Sequence, residues 1–191
     1  MFKVSAGFIG NFKDGDNIKY NLEILGILYS YYSKSDNNRE KQLLCKPIII
    51  LLVSIIEATI DDLFFKIENY FREGVSNIPA GMIFDVRCRT YNKFDTQICL
   101  CEKYDIFDSI ATNFYTALKE LQKLRNRIHI QNNKKYMPLD ERYAFNEYRK
   151  ESAEKICEYI LKKMNKKFSR SLFFNDYVGQ FEIPWSERYV R

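Results

Sequence analysis

Between residues 18 and 32 the apolar side chains fall at Ile18, Leu22, Leu25, Leu28 with Tyr29, and Tyr32. Steps of three and four place them on one side of a helix. Residues 33–38 form a polar break, in which Asp36 or Asn37 can cap a second helix. That helix is predicted over 39–72, kinked or restarted at Pro47, with Gly74 as its stop signal. Its middle is apolar nearly all round, the pattern of a central buried helix. Ser54, Glu57 and Asp61 interrupt the pattern at steps of three and four and so share one narrow polar stripe. A third helix starts at Asp105 or Asp108 and carries the cleanest period in the chain: Ile110, Phe114, Ala117, Leu121, Leu124 and Ile128. The polar run 131–135 ends it. Pro138 and Asp140 open a fourth helix, with Phe145, Tyr148, Ile156, Ile160 and Met164 as its buried stripe.

The segments between and around these helices carry weaker patterns. Residues 1–16, with Gly7, Gly10 and Gly15, read as a loose arm. Within 75–98 no single period dominates, and the apolar runs 83–86 and 96–100 read as short strands or as a long ordered connection. Residues 169–191 form an aromatic tail, with Phe173, Phe174, Tyr177, Phe181, Trp185 and Tyr189. So many aromatic rings are expected to dock on the body of the protein or on a partner. The resulting expectation is a mainly all-α fold: a bundle of four to five helices with one irregular insertion and room for a minor short β element. It reads as a single domain over 1–191, with an arm (1–16), a helical body (17–168) and the tail (169–191).

Composition narrows the picture. Seven glycines and four prolines are few for 191 residues, which favours long helices over a many-stranded sheet. The net charge of +5 permits an anionic partner without requiring one. Five cysteines in irregular positions (45, 88, 99, 101 and 157) and one histidine, His129, fit neither a disulfide framework nor a zinc site. Reduced thiols in a cytoplasmic protein are expected. The most hydrophobic run, 48–56, is shorter than the roughly 20 residues of a membrane span, and the first residues lack a secretion signal, so no membrane partner is expected. No phosphate-binding loop, dinucleotide fingerprint, zinc-protease motif or serine elbow is present, so no cofactor and no metal is expected.

One candidate for chemistry remains. Arg125 and His129 are four residues apart on the third helix. At about 100° per residue from Ile110, Arg125 lies near 60° and His129 near 100°, both flanking the apolar stripe. Arg127 is expected to point the other way. A guanidinium binds phosphate through parallel hydrogen bonds and an imidazole transfers protons near neutral pH. On RNA the 2′-hydroxyl can itself attack the adjacent phosphate. The plainer reading is that these cations complement the negative end of the helix dipole. Glu57 and Asp61 can reach the same place and orient Arg125 or His129, or simply form a solvated, salt-bridged stripe. Lys134, Lys135, Lys162, Lys163, Lys166, Lys167 and Arg170 can track a phosphate backbone, or merely end their helices.

The string Leu121-Gln122-Lys123-Leu124-Arg125-Asn126-Arg127-Ile128-His129-Ile130-Gln131-Asn132, following an apolar helix late in a bundle, resembles the signature region of the HEPN superfamily. The resemblance is specific over about a dozen residues: Arg125, the polar Asn126 after it, and His129. The family usually places four to six residues between its Arg and His, and this chain places three. The resemblance implies a small all-α domain acting as a homodimer. It further implies a metal-independent endoribonuclease in a toxin–antitoxin or phage-defence system, with RNA as substrate and an antitoxin protein as a further partner. It assigns Arg125 to the phosphate, His129 to proton transfer and Asn126 to substrate positioning. Two copies then supply two histidines, one as base and one as acid. The alternative is a catalytically inactive module of the same type that binds RNA, a nucleotide or a protein partner.

Overall fold

The computed structural model describes residues 1–70, 75–109, 111–128, 140–170 and 179–187. Strand β1 (Phe2–Ser5) is followed by the helical hairpin of α1 (Phe12–Lys34) and α2 (Asn38–Asn69). Next come α3 (Ala80–Cys88), α4 (Phe94–Lys103) and α5 (Phe114–Arg125), the last running into a 3-10 turn at Asn126–Ile128. The short α6 (Glu141–Ala144), the long α7 (Glu147–Phe168) and strand β2 (Gln180–Ile183) complete the order. Among the described residues the fold is mainly α-helical, with a single two-stranded sheet.

Short polar side chains set the helix starts. Asn11, Asn37 and Asn146 each accept a hydrogen bond from a backbone N–H of the first turn of α1, α2 and α7. Such a cap satisfies one of the amides that a helix N-terminus leaves unpaired. Asn37 is therefore the cap of α2, and α2 runs unbroken through Pro47. A span of 32 residues makes it about 48 Å long. Its apolar circumference is explained by its neighbours: α1, α3, α4, α5 and α7 all pack on it. Ile48, Ile49, Leu52, Val53, Ile56, Ile60 and Leu63 are fully enclosed. Each such side chain stabilises the fold by about 1.5–3 kcal/mol relative to an exposed one.

The two runs read as strands or connection, 83–86 and 96–100, are helical. In α3 the buried residues are Met82 and Val86, and in α4 they are Phe94, Gln97, Ile98 and Cys101, with further burial at Leu100. Steps of three and four are helical. Phe84, which made the first run look strand-like, is 68% exposed. The third helix also begins later than its periodicity suggests. Residues 105–109 form a turn in which Asp105 and Asp108 take positive φ, and α5 starts only at Phe114.

The two strands meet across the length of the chain. β1 pairs antiparallel with β2, Phe2 opposite Ile183 and Val4 opposite Phe181. Val4, Phe181 and Ile183 face the core, while Lys3 and Glu182 point outward and pair at 3.1 Å. Phe181 stacks edge-on against Phe8, and Trp185 lies 5.8 Å from Tyr29. The described part of the aromatic tail thus docks on the body. Phe173, Phe174, Tyr177 and Tyr189 lie outside the described residues. The first eleven residues are no loose arm: Ala6, Phe8 and Ile9 are almost wholly buried. By length and composition α2 is also apolar enough to cross a membrane, although half of its most apolar stretch is buried within the protein.

Candidate functional site

Arg125 ends α5, and Asn126 caps it in a helical conformation before the 3-10 turn. Helix α5 packs across the middle of α2, so the Arg125 guanidinium meets the half-buried Glu57, with Nη2 2.5 Å from Oε2. Nη1 also donates to Asn126 Oδ1 at 3.4 Å. A guanidinium carries five N–H donors. These two contacts leave others on a side chain that is 37% exposed, enough for a phosphate oxygen to reach.

The second acid of the polar stripe does something different. Asp61 is exposed and accepts from Gln97 Nε2 at 2.7 Å rather than pairing with Arg125. Its charge is still felt. Burial raises the Glu57 carboxyl above the ordinary glutamate range; Arg125 pulls it back down and Asp61 pushes it further up. Asp14, on α1, is raised chiefly by burial and then by Asp61. Glu57 is thus held between the Arg125 guanidinium and the Asp61 carboxylate, while Asp14 is lowered by Asn11 and Lys13 rather than by Arg125.

His129 lies outside the described residues, as do Lys134 and Lys135. The 100° step used to place His129 does not continue past Arg125. The chain tightens into the 3-10 turn, which advances by about 120° per residue. Arg127, expected to point away from the apolar stripe, is instead 5% exposed.

The basic residues of the last helix do not form an open phosphate track. Lys162 bonds Glu158 and Glu187, while Lys163 and Lys167 share Asp108. Arg170 is buried against the N-terminal segment. Lys166 is exposed, in a cleft of about 560 Å³ that Lys3, Lys162, Lys163, Tyr159 and Asn165 also line. Among the described residues no cluster of three or more His, Cys, Asp or Glu is placed to hold a metal ion.

Two buried polar clusters escaped the sequence reading. In the first, Asp62 accepts from the backbone N–H of Gly10 and of Asn11, each at 2.8 Å. Lys66 Nζ donates to the Phe8 carbonyl at 2.5 Å and lies 3.9 Å from Asp62. Arg170 and Tyr70 both donate to the Gly10 carbonyl. Burial drives the Lys66 ammonium down to about 8 against the pull of Asp62. In the second, fully buried Glu154 accepts from Tyr29 and from Lys150 beneath Trp185. The available signal was a pair of opposite charges four residues apart, Asp62 with Lys66 in an apolar part of α2; Lys150 with Glu154 sits among other charges and carried no such signal. Such charges are retained in a core only when they have partners. Compared with models of known protein families, with curated proteins and with solved structures, the chain matches none.

Proposed function

We propose that this protein is a metal-independent endoribonuclease of the HEPN type, working as a homodimer in a toxin or phage-defence role with an antitoxin protein as its controlling partner. The observation that carries this reading is Arg125: a half-exposed guanidinium at the end of α5, oriented by Glu57 from α2 and flanked by Asn126. A cation pre-oriented in this way needs little reorganisation to meet the charge that develops on a phosphate. Arg125 binds the scissile phosphate, Asn126 positions the adjoining nucleotide, and Glu57 fixes the guanidinium; Asp61 acts on it only through the field at Glu57.

The chemistry is internal transesterification. His129 takes the proton of the 2′-hydroxyl, the 2′-oxygen bonds to phosphorus, and the bond from phosphorus to the 5′-oxygen breaks. The leaving 5′-oxygen takes a proton from the imidazolium of a second copy's histidine. The products are a 2′,3′-cyclic phosphate and a 5′-hydroxyl.

A second reading rests on the same ion pair. Glu57 largely neutralises Arg125, and Lys123 and Arg125 in the last turn suit the dipole of α5. This describes a catalytically silent module that binds RNA, a nucleotide or a protein. Incubating wild type, Arg125→Ala and His129→Ala with a mixed RNA pool in EDTA separates the two. Cyclic-phosphate ends from wild type alone support the nuclease. Folded, associated wild type that leaves RNA intact overturns it in favour of the silent module.

A further inference from the structure

Helix α2 is enclosed on one side and half-open along the other. The open seam runs through Leu43, Ile50, Ser54, Ala58, Asp61 and Phe65, at helical steps of seven, four, four, three and four. Leu43 is 64% exposed, and Ile50, Ala58 and Phe65 are half-buried. Leu43, Ile50, Ala58 and Phe65 thus form an apolar line along one face of the helix.

The charges bordering the seam are segregated. At its N-terminal half stand Arg39 and, at the edge, Lys46; at its C-terminal half stand Glu57, Asp61 and Glu68. Glu40, the acid nearest Arg39, is turned to Ser35, which donates to it at 2.7 Å. A strip that is basic at one end, apolar in the middle and acidic at the other is complementary to itself when reversed.

We propose that α2 pairs antiparallel with α2 of a second copy of this chain, across a two-fold axis at Ser54. That register sets Leu43 opposite Phe65 and Ile50 opposite Ala58, and brings Arg39 and Lys46 to within one residue of the levels of Glu68 and Asp61 on the facing helix. Ser54 meets its own copy where a small side chain lets two helices approach closely. Lys46 already pairs with Glu141 at 2.6 Å, so the Asp61 contact extends that pair rather than replacing it. A bilayer is the poorer occupant, because Ser54, Glu57 and Asp61 would enter it mid-helix.

The pairing has a consequence for the site, and that consequence alone rests on the nuclease reading. A two-fold axis perpendicular to both helices keeps each Glu57 on the same side of the interface. Glu57 is three residues from Ser54, so the two copies lie about 9 Å apart along the seam. Each brings its Arg125, and the partner completes a shared cleft.

Charge reversal tests the register. Arg39 and Glu68 are about 44 Å apart on one helix, so any rescue between them must act between copies. In sedimentation without RNA, wild type is expected as a dimer. Arg39→Glu and Glu68→Arg each weaken it by about tenfold, and the double variant returns to near wild-type association. Ser54→Cys, in a Cys88→Ser and Cys99→Ser background, is expected to form a dimer disulfide under mild oxidation while keeping the wild-type helical circular dichroism. A wild-type monomer, single reversals without effect, or a folded Ser54→Cys protein that does not cross-link would each overturn the inference. So would flotation of the protein with phosphatidylcholine–phosphatidylglycerol vesicles. A rescued dimer that cleaves no RNA leaves this interface standing and removes the nuclease; a dimer that cleaves RNA but ignores the charge reversals does the reverse.

Discussion

Asp62 and Glu57 stand little more than one turn apart on α2, and their surroundings could hardly differ more. Asp62 is wholly buried and takes three backbone hydrogen bonds from Gly10 and Asn11. Glu57 stands at a half-open edge and holds one side chain, Arg125. Five residues of helix rotate by about 140°, enough to move a carboxylate from the core to the rim. One helix thus uses the same chemical group for architecture along one face and for a candidate site along the other. A buried ion pair is expensive to break, whereas a half-exposed one is cheap.

Substitutions sharpen the contrast. Asp62→Ala leaves Lys66 without its counter-charge and strips two amides of their acceptor, so a loss of about 3–5 kcal/mol is expected in denaturant unfolding. Glu57→Gln in the same assay is expected to change stability by less than about 1 kcal/mol. Equal losses would erase the distinction between the two faces. Arg125→Ala should likewise leave the unfolding midpoint near wild type while lowering RNA cleavage about a hundredfold, the usual scale for removing one donor to a charged transition state. A stability loss matching Asp62→Ala would make Arg125 an architectural residue instead.

Gly10 lies against the buried pair, and a Cβ there would overlap the Lys66 side chain. Gly10→Ala is therefore expected to cost about 1–3 kcal/mol in thermal or chemical unfolding, with cleavage lost only in proportion to the unfolded fraction. The smallest effect is electrostatic. Because the Glu57 carboxyl is raised in the folded state, the native protein holds its proton above the pH at which the unfolded chain releases it. Its contribution to stability is thus complete below the ordinary glutamate value and fades as pH rises through the folded value. Arg125→Ala removes the lowering influence and should raise the Glu57 value further, whereas Asp61→Asn should reduce it. Carboxyl NMR titration reads both; a shift of the same sign in the two variants would refute this account of the stripe.

The two helices of the hairpin, the long α7 and a start of α2 at Asp36 or Asn37 were legible because periodicity and capping act over a few residues. Helices α3 and α4 were not. Ile83-Phe84-Asp85-Val86 is too short a run to separate a period of two from one of 3.6, and what settled it was burial of Met82 and Val86 against α2. The stripe of Ser54, Glu57 and Asp61 was visible, as was Arg125. Which acid meets the guanidinium depended on where α5 crosses α2, a distance of almost seventy residues in the chain.

The helical class, the presence of the long helices α1, α2 and α7 and the residue types available for phosphate chemistry are written in local spacing and side-chain character. Only the tertiary structure decided the rest. It placed Glu57 rather than Asp61 on Arg125, buried Arg127, and bound the N-terminal segment to Asp62, Lys66 and Arg170. These are contacts between residues distant in the chain, and their geometry is set by how helices cross, which no local pattern records.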